Sequence, residues 1–469
     1  MAATLSFAAC VPSLNQQAAR AARTTTPDQY PQTQTQTNTA SVAWGEFFKD
    51  DNLAALIDAA LENNQELAIV GLEIEVAKNE ITARNGEYLP RLDFRAGAGI
   101  EKVGKYTSQG AADEANEVPE HLQDYFVGFF ASWEVDIWKK LRNASKAATY
   151  RYMASIEGRK FLVTRLVAEI ADAYYELVAL DNQLAVLEQN VTVQQDALEV
   201  VRLQKEAARA TELAVQRFEA EVFKNQSRRY EVRQRIIETE NRINFLLGRF
   251  PRPIVRSKAD FRELTPRVVD AGLPAQLLAN RPDVREAELR LEAAKLDVEV
   301  AKARFYPSLE LRGGVGYQAF RLGHFFATPE SLLYNLFADV MAPIFNRNAL
   351  EAGYFSANAQ QMQAVHAYER TIVAAYSEVA NQLAMVDNLD KSYTLRAQEV
   401  QRLEAAIDVS ATLFESARAD YMEVLLTRRD ALESKMELIE TKKRQMGAMV
   451  NLYQALGGGW SRERVVAQQ

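Results

Sequence analysis

The chain has 469 residues, 48% apolar and 25% charged, a balance that fits a folded protein and excludes wholesale disorder. A formal net charge of −8 and the lack of any Lys/Arg block give no footing for a nucleic-acid partner. No window holds 18 consecutive apolar residues, which excludes a transmembrane helix but not a β-barrel, whose strands need only about 9–11 alternating residues.

In chain order, residues 1–42 read as a signal-like start and linker. "LSFAAC" closes on the sole cysteine, Cys10, after small Ala8 and Ala9, and a Pro/Gln/Thr-rich stretch follows to Thr39. One cysteine cannot make an internal disulfide.

From Ala43 the chain is written twice. "ENNQEL" (Glu62–Leu67) aligns with "ANRPDV" (Ala279–Val284), and "EVAKNEITARNGEYLPRLDFRAGAG" aligns without a gap with "EAAKLDVEVAKARFYPSLELRGGVG". "EAARAT" (Glu206–Thr211) aligns with "ESARAD" (Glu415–Asp420), and "LLG" ending at Gly248 with "ALG" ending at Gly457. The period is far beyond the 20–50 residues of a solenoid repeat, so the halves, 43–248 and 271–460, are duplicated structural units. Residues 249–270 link them and 461–469 form a tail.

Each half predicts a helix, two strands, a very long helix and a return helix. No proline lies between Leu141 and Phe250 or after Pro343. A helix from about Lys140 to Ala207 would run near 100 Å at about 1.5 Å per residue, and its counterpart runs from Ala349 to Glu415. Leu177, Leu180, Leu184, Leu187 and Val191 recur at spacings of three and four, as a packed seam requires. Return helices over Thr211–Leu247 and Asp420–Leu456 make two helical hairpins that turn near Arg209 and Arg418.

Strands are predicted at about 91–103, 125–137, 308–318 and 333–345. A proline precedes the first and third, since its ring and missing N–H stop a helix. Strict alternation follows: Leu92, Phe94, Ala96, Ala98 and Ile100 on one face, with Asp93, Arg95, Gly97, Gly99 and Glu101 on the other. The connections Lys102–Asp124 and Gln318–Leu333 read as long loops, and Tyr88, Trp133, Trp138, Phe305, Tyr306, Tyr334 and Phe345 gather at strand ends as interfacial aromatics do. Four strands cannot close a barrel, and open edges in lipid cost several kcal/mol per unpaired group. Eight strands leave an interior filled by side chains, so three copies, with twelve, are the smallest assembly expected to keep a lumen.

"SWEVDIW" (Ser132–Trp138), "YLPRLDF", "YPSLEL", "NRPDV" (Asn280–Val284) and "VNLYQALGGGW" (Val450–Trp460), in this order and duplicated, resemble the outer-membrane factor family, the TolC- and OprM-like efflux proteins. The resemblance spans about Ala43 to Trp460. It implies a mainly α chain with a membrane β-barrel. As a homotrimer the chain would build a twelve-stranded barrel in outer-membrane lipid, continued by a helical barrel through the periplasm. An equatorial part would come from Ala43–Leu61, Arg249–Asp270 and the tail. The implied partners are a periplasmic adaptor (membrane fusion) protein and an inner-membrane efflux pump. "LSFAAC" resembles the lipoprotein start of the OprM-like branch, which implies acylation at Cys10, although Phe7 is bulkier than that pattern has.

By the same resemblance the periplasmic gate lies near the second hairpin's turn, with Asp420 and Glu423 as lumen-facing acids and Arg418 and Tyr421 as restraints. Arg209, Thr211 and Glu212 form the matching tip, suited to docking the adaptor. Two other readings stand beside this one: a protein-secretion duct of the same architecture, and a coiled-coil interaction protein without a pore. His121, His324 and His366 are scattered, no metal-ligand spacing or nucleophile–His motif occurs, and no cofactor or enzymatic step is expected.

Overall fold

The structure is a computed structural model that describes residues 11–14, 20–31, 37–257, 261, 264, 269–416 and 418–461. Cys10 lies outside the described residues, and so does the acylation expected there. The main helices are α1 (Asp51–Asn63), α2 (Gln65–Tyr88), α3 (Lys140–Glu206), α4 (Glu212–Leu246), α5 (Pro282–Ala303), α6 (Asn348–Glu415) and α7 (Tyr421–Ala455). The strands are β1 (Arg91–Glu101), β2 (Leu122–Val135), β3 (Ser308–Ala319) and β4 (Leu332–Met341).

Helix boundaries fall within a residue or two of those expected. The strand ends differ more. β4 stops at Met341, four residues early, because Pro343 has no N–H to continue a ladder. β2 starts three residues sooner, at Leu122, and stops two sooner, at Val135. The connection before β2 is less loop-like than expected, since it carries a helix over Ser108–Ala115, N-capped by the Thr107 hydroxyl.

The chain forms two compact units that cut across the sequence repeats. One comprises the described residues of Met1–Ala22, Ile74–Ser155 and Ala287–Tyr368; the other comprises those of Arg23–Glu73, Ile156–Glu286 and Glu369–Gln469. In the first unit the four strands make one antiparallel sheet in the order β1-β2-β3-β4. A small core beside it joins Val298, Phe305, Tyr354 and Ala357.

In the second unit the core gathers Trp44, Phe47 and Phe48, the α1 side chains Leu53 and Ile57, the α3 stripe from Leu162 to Ala179, Leu247, Ile254, Phe261, Val450 and Tyr453. Phe47 stacks on Tyr453 with ring centroids 4.0 Å apart, and the Tyr453 hydroxyl donates to the Val42 carbonyl.

Here the duplication is visible atom by atom. Asn64 Nδ2 donates to the Leu246 carbonyl at 2.8 Å, and Arg281 Nη1, its partner in the repeat, donates to the Ala455 carbonyl at 2.8 Å. Gly248 (φ +67) and Gly457 (φ +92) end the two return helices in the left-handed region. A Cβ at Gly248 would lie 2.3 Å from the Asn63 carbonyl oxygen, and one at Gly457 would lie 2.5 Å from that of Asn280. Each helix therefore stops with a glycine wedged against the start of its own repeat, where no other residue fits.

Candidate functional site

The sheet separates its two surfaces by charge. Across the strands Phe94, Phe129, Val315 and Tyr334 stand in one row, Leu92, Ala131, Gly313 and Leu336 in the next, and Ala96, Val127, Tyr317 and Leu332 in a third. This face carries no charge in any of those rows, yet Leu92, Phe94 and Leu336 are 68%, 62% and 83% exposed. The opposite face carries Glu134, Glu310 and Asp339 in one row and Arg91, Ser132, Arg312 and Phe337 in the next. Arg312 pairs with Glu310 at 2.7 Å and Arg91 with Asp93 at 2.9 Å. Phe126 and Phe130 cover Gly97 and Gly314, where an added Cβ would meet the rings at 2.3 and 2.5 Å. Both edges, β1 and β4, have one side unpaired within the chain. An uncharged, exposed face and a polar face on a sheet with two open edges is the surface pattern of a barrel segment.

The hairpin tips belong to the second unit. In the first tip α3 ends at Glu206, Ala208 takes a left-handed conformation (φ +55), and the Arg209 N–H closes the turn on the Gln204 carbonyl at 2.7 Å. Thr211 is the N-cap of α4, its Oγ1 accepting from the Ala214 N–H at 3.2 Å. Glu212 pairs with Lys205, whose ammonium holds that carboxyl below its ordinary range. Arg209, Thr211 and Glu212 are all exposed. Beneath them Leu198, Val201, Ala214, Val215, Phe218 and Val222 form an apolar knot.

In the second tip Asp420 holds the position that Thr211 holds in the first, as N-cap of α7, but its side chain makes no cap hydrogen bond. Asp420, Arg418 and Glu423 are exposed. Tyr421 turns away from these groups and, with Leu425, packs on the apolar knot of the first tip. The four expected gate residues therefore divide: Asp420, Glu423 and Arg418 face outward, and Tyr421 ties the two hairpins together.

Sequence reasoning missed other groups here. Arg217 Nη1 donates to Met422 Sδ at 3.1 Å, a second tie between the hairpins. A groove of about 550 Å³ runs between α6 and α7, bounded by Arg402, Val409 and Leu413 on one helix and Glu423, Leu426 and Asp430 on the other. Its signal was present as spacing, since Arg402, Val409 and Leu413 recur at intervals of seven and four. Among the described residues no three His, Cys, Asp or Glu side chains converge on a metal position, and no helix is long and apolar enough to cross a membrane.

The family model for outer membrane efflux proteins matches residues 56–249 and 273–458, one match in each repeat. The chain is 28% identical to the pyoverdine export outer membrane protein OpmQ of Pseudomonas aeruginosa, over 90% of this chain and 88% of OpmQ. It is 26% identical to the cation efflux system protein CusC of Escherichia coli, over 90% and 89% of the two chains. The crystal structure of the open state of the Neisseria gonorrhoeae MtrE outer membrane channel superposes with a TM-score of 0.85 at 23% identity, over 95% of this chain and 98% of that one.

Proposed function

The chain belongs to the outer membrane efflux protein family, and we propose that three copies of it form the outer-membrane duct of a tripartite efflux system. The duct is passive. It carries small molecules from an inner-membrane pump and a periplasmic adaptor to the outside. The observation that carries this reading is the sheet: a charge-free exposed face and two open edges are stable in lipid only if other copies complete the backbone pairing. Three copies give twelve strands and a lumen. The same face counts against a coiled-coil spacer without a pore. Pyoverdine and cations, the cargoes in the names of OpmQ and CusC, are small solutes, which favours small-molecule efflux over protein secretion.

Within this reading Asp420 and Glu423 form the acidic lining of the periplasmic aperture, Arg418 and Tyr421 restrain it, and Arg209, Thr211 and Glu212 present the adaptor-docking tip. Support comes from Asp420, whose carboxylate is not spent on capping α7 although it occupies the cap position. Purified protein in planar bilayers tests the proposal. Heat-resistant trimers that conduct, with higher conductance in Asp420→Ala, are expected. A soluble monomer would end the duct reading, and trimers whose conductance ignores Asp420→Ala would remove that residue from the aperture.

A further inference from the structure

In a chain of net charge −8, the lower ends of the strands, those at Arg91, Val135, Ser308 and Met341, adjoin three basic stretches and, before Arg91, one that carries Glu87. "WKKLRNASK" (Trp138–Lys146), "KARFY" (Lys302–Tyr306) and "FNRNAL" (Phe345–Leu350) hold seven cations and no carboxylate. All three lie in the unit that contains the sheet. Lys140 and Arg142 are paired with Glu134 and Asp136. Lys139 and Arg304 are exposed and make no ion pair among the described residues. Lys139 does not serve helix α3, because a helix N-terminus disfavours positive charge, whereas Lys302 and Arg304 flank the C-terminus of α5, which favours it.

Immediately beside them the uncharged strand face continues past the last ladder pair. Ile137 and Ile344 follow the outward alternation of β2 and β4, and with Phe345 they are half or more exposed. Trp138 stacks on Tyr306 at 4.7 Å, and its indole N–H donates to the Pro307 carbonyl at 2.8 Å, so the pair is fixed rather than free. An apolar belt bordered by unpaired cations matches acyl chains below a phosphate layer, with aromatic rings between them.

We propose that this collar binds the headgroups of anionic phospholipids in the leaflet that the lower strand ends meet. Lys139 and Arg304 take the phosphate, and Ile137, Ile344 and Phe345 seat the first acyl carbons. Roughly 1 kcal/mol per cation near an anionic surface makes this a selectivity of about thirtyfold for the two residues together. The inference rests on the barrel reading and goes beyond it by naming a lipid class and a site.

Trimers of the full chain, titrated with phosphatidylglycerol or phosphatidylcholine of identical acyl chains and counted by native mass spectrometry, supply the test. Wild type should retain more phosphatidylglycerol, and Lys139→Gln/Arg304→Gln should lower that retention by about an order of magnitude or more while phosphatidylcholine stays unchanged. Lys102→Gln, at the opposite end of the strands, should change neither. Equal retention of the two lipids, or a loss equal for both in the double variant, overturns the collar. Displacement of phosphatidylglycerol by inorganic phosphate alone overturns the part assigned to the apolar belt. Trimers that conduct but show no lipid preference would sink the collar and leave the duct standing.

Discussion

Asp172 and Arg281 show how single side chains hold the helical unit together at some cost. Burial, opposed by Arg242 and Asn451 and helped by Glu176 and Glu169, pushes the Asp172 carboxyl up to about 7. Its Oδ1 has no hydrogen bond and faces Gly447, where a Cβ would sit 3.4 Å away. The folded state therefore binds this proton more tightly than the unfolded chain does. The stabilisation is complete below pH about 4 and is lost as pH climbs through about 7. Asp172→Asn should flatten this slope, melting above wild type at pH 8, by on the order of 2 kcal/mol, and close to it near pH 4. Thermal unfolding of trimers at both pH values measures it, and parallel pH profiles would show that Asp172 is not the titrating group.

Arg281 is 4% exposed and satisfies four acceptors: both Asp283 oxygens, Glu378, and the Ala455 carbonyl at the end of α7. Its removal leaves the carbonyl of buried Ala455 and the part-buried Asp283 carboxylate without their partner, so Arg281→Ala should cost about 3 kcal/mol, read as an earlier thermal dissociation of trimers. Asn64→Ala, at the matching site, should cost about 1 kcal/mol, since it breaks neutral hydrogen bonds.

At the scale of an element, β2 and β3 meet at Gly128 and Gly316, which face each other in register. A Cβ at Gly316 would lie 2.3 Å from the Val127 carbonyl oxygen and 2.7 Å from the Gly128 Cα. The strands approach too closely there for any side chain. Gly316→Val should abolish heat-resistant trimers, while Gly99→Val, where the nearest atom to an added Cβ is 4.0 Å away, should keep them. The hairpin tips teach a different lesson. Thr211 and Asp420 occupy equivalent caps, yet the hydroxyl bonds to its helix and the carboxylate does not. Duplication preserved the backbone turn and left the two side chains to separate tasks.

At the scale of the molecule, the two faces of the sheet make opposite demands. Leu336 lies on the uncharged face and Asn335, its neighbour, on the polar one. Leu336→Arg should cost about 2–4 kcal/mol if that face meets the middle of a bilayer, and Asn335→Arg should cost little. Trimer yield from outer membranes compares them, and equal tolerance would contradict the assignment of faces.

The sequence by itself determined the repeats, the four long helices, the four strands and which face of each strand is apolar. These follow from proline position and from period, which are local properties of the chain. It also placed Asp420 and Thr211 at turns. It could not decide that Tyr421 joins the first tip's knot, that Arg281 reaches Ala455, or that Gly128 opposes Gly316, because each pair lies far apart along the chain and meets only through packing. Strand ends misread at 103 and 345 have the same origin: a ladder stops where its partner stops or where a proline has no N–H to give, and pairing is a tertiary fact.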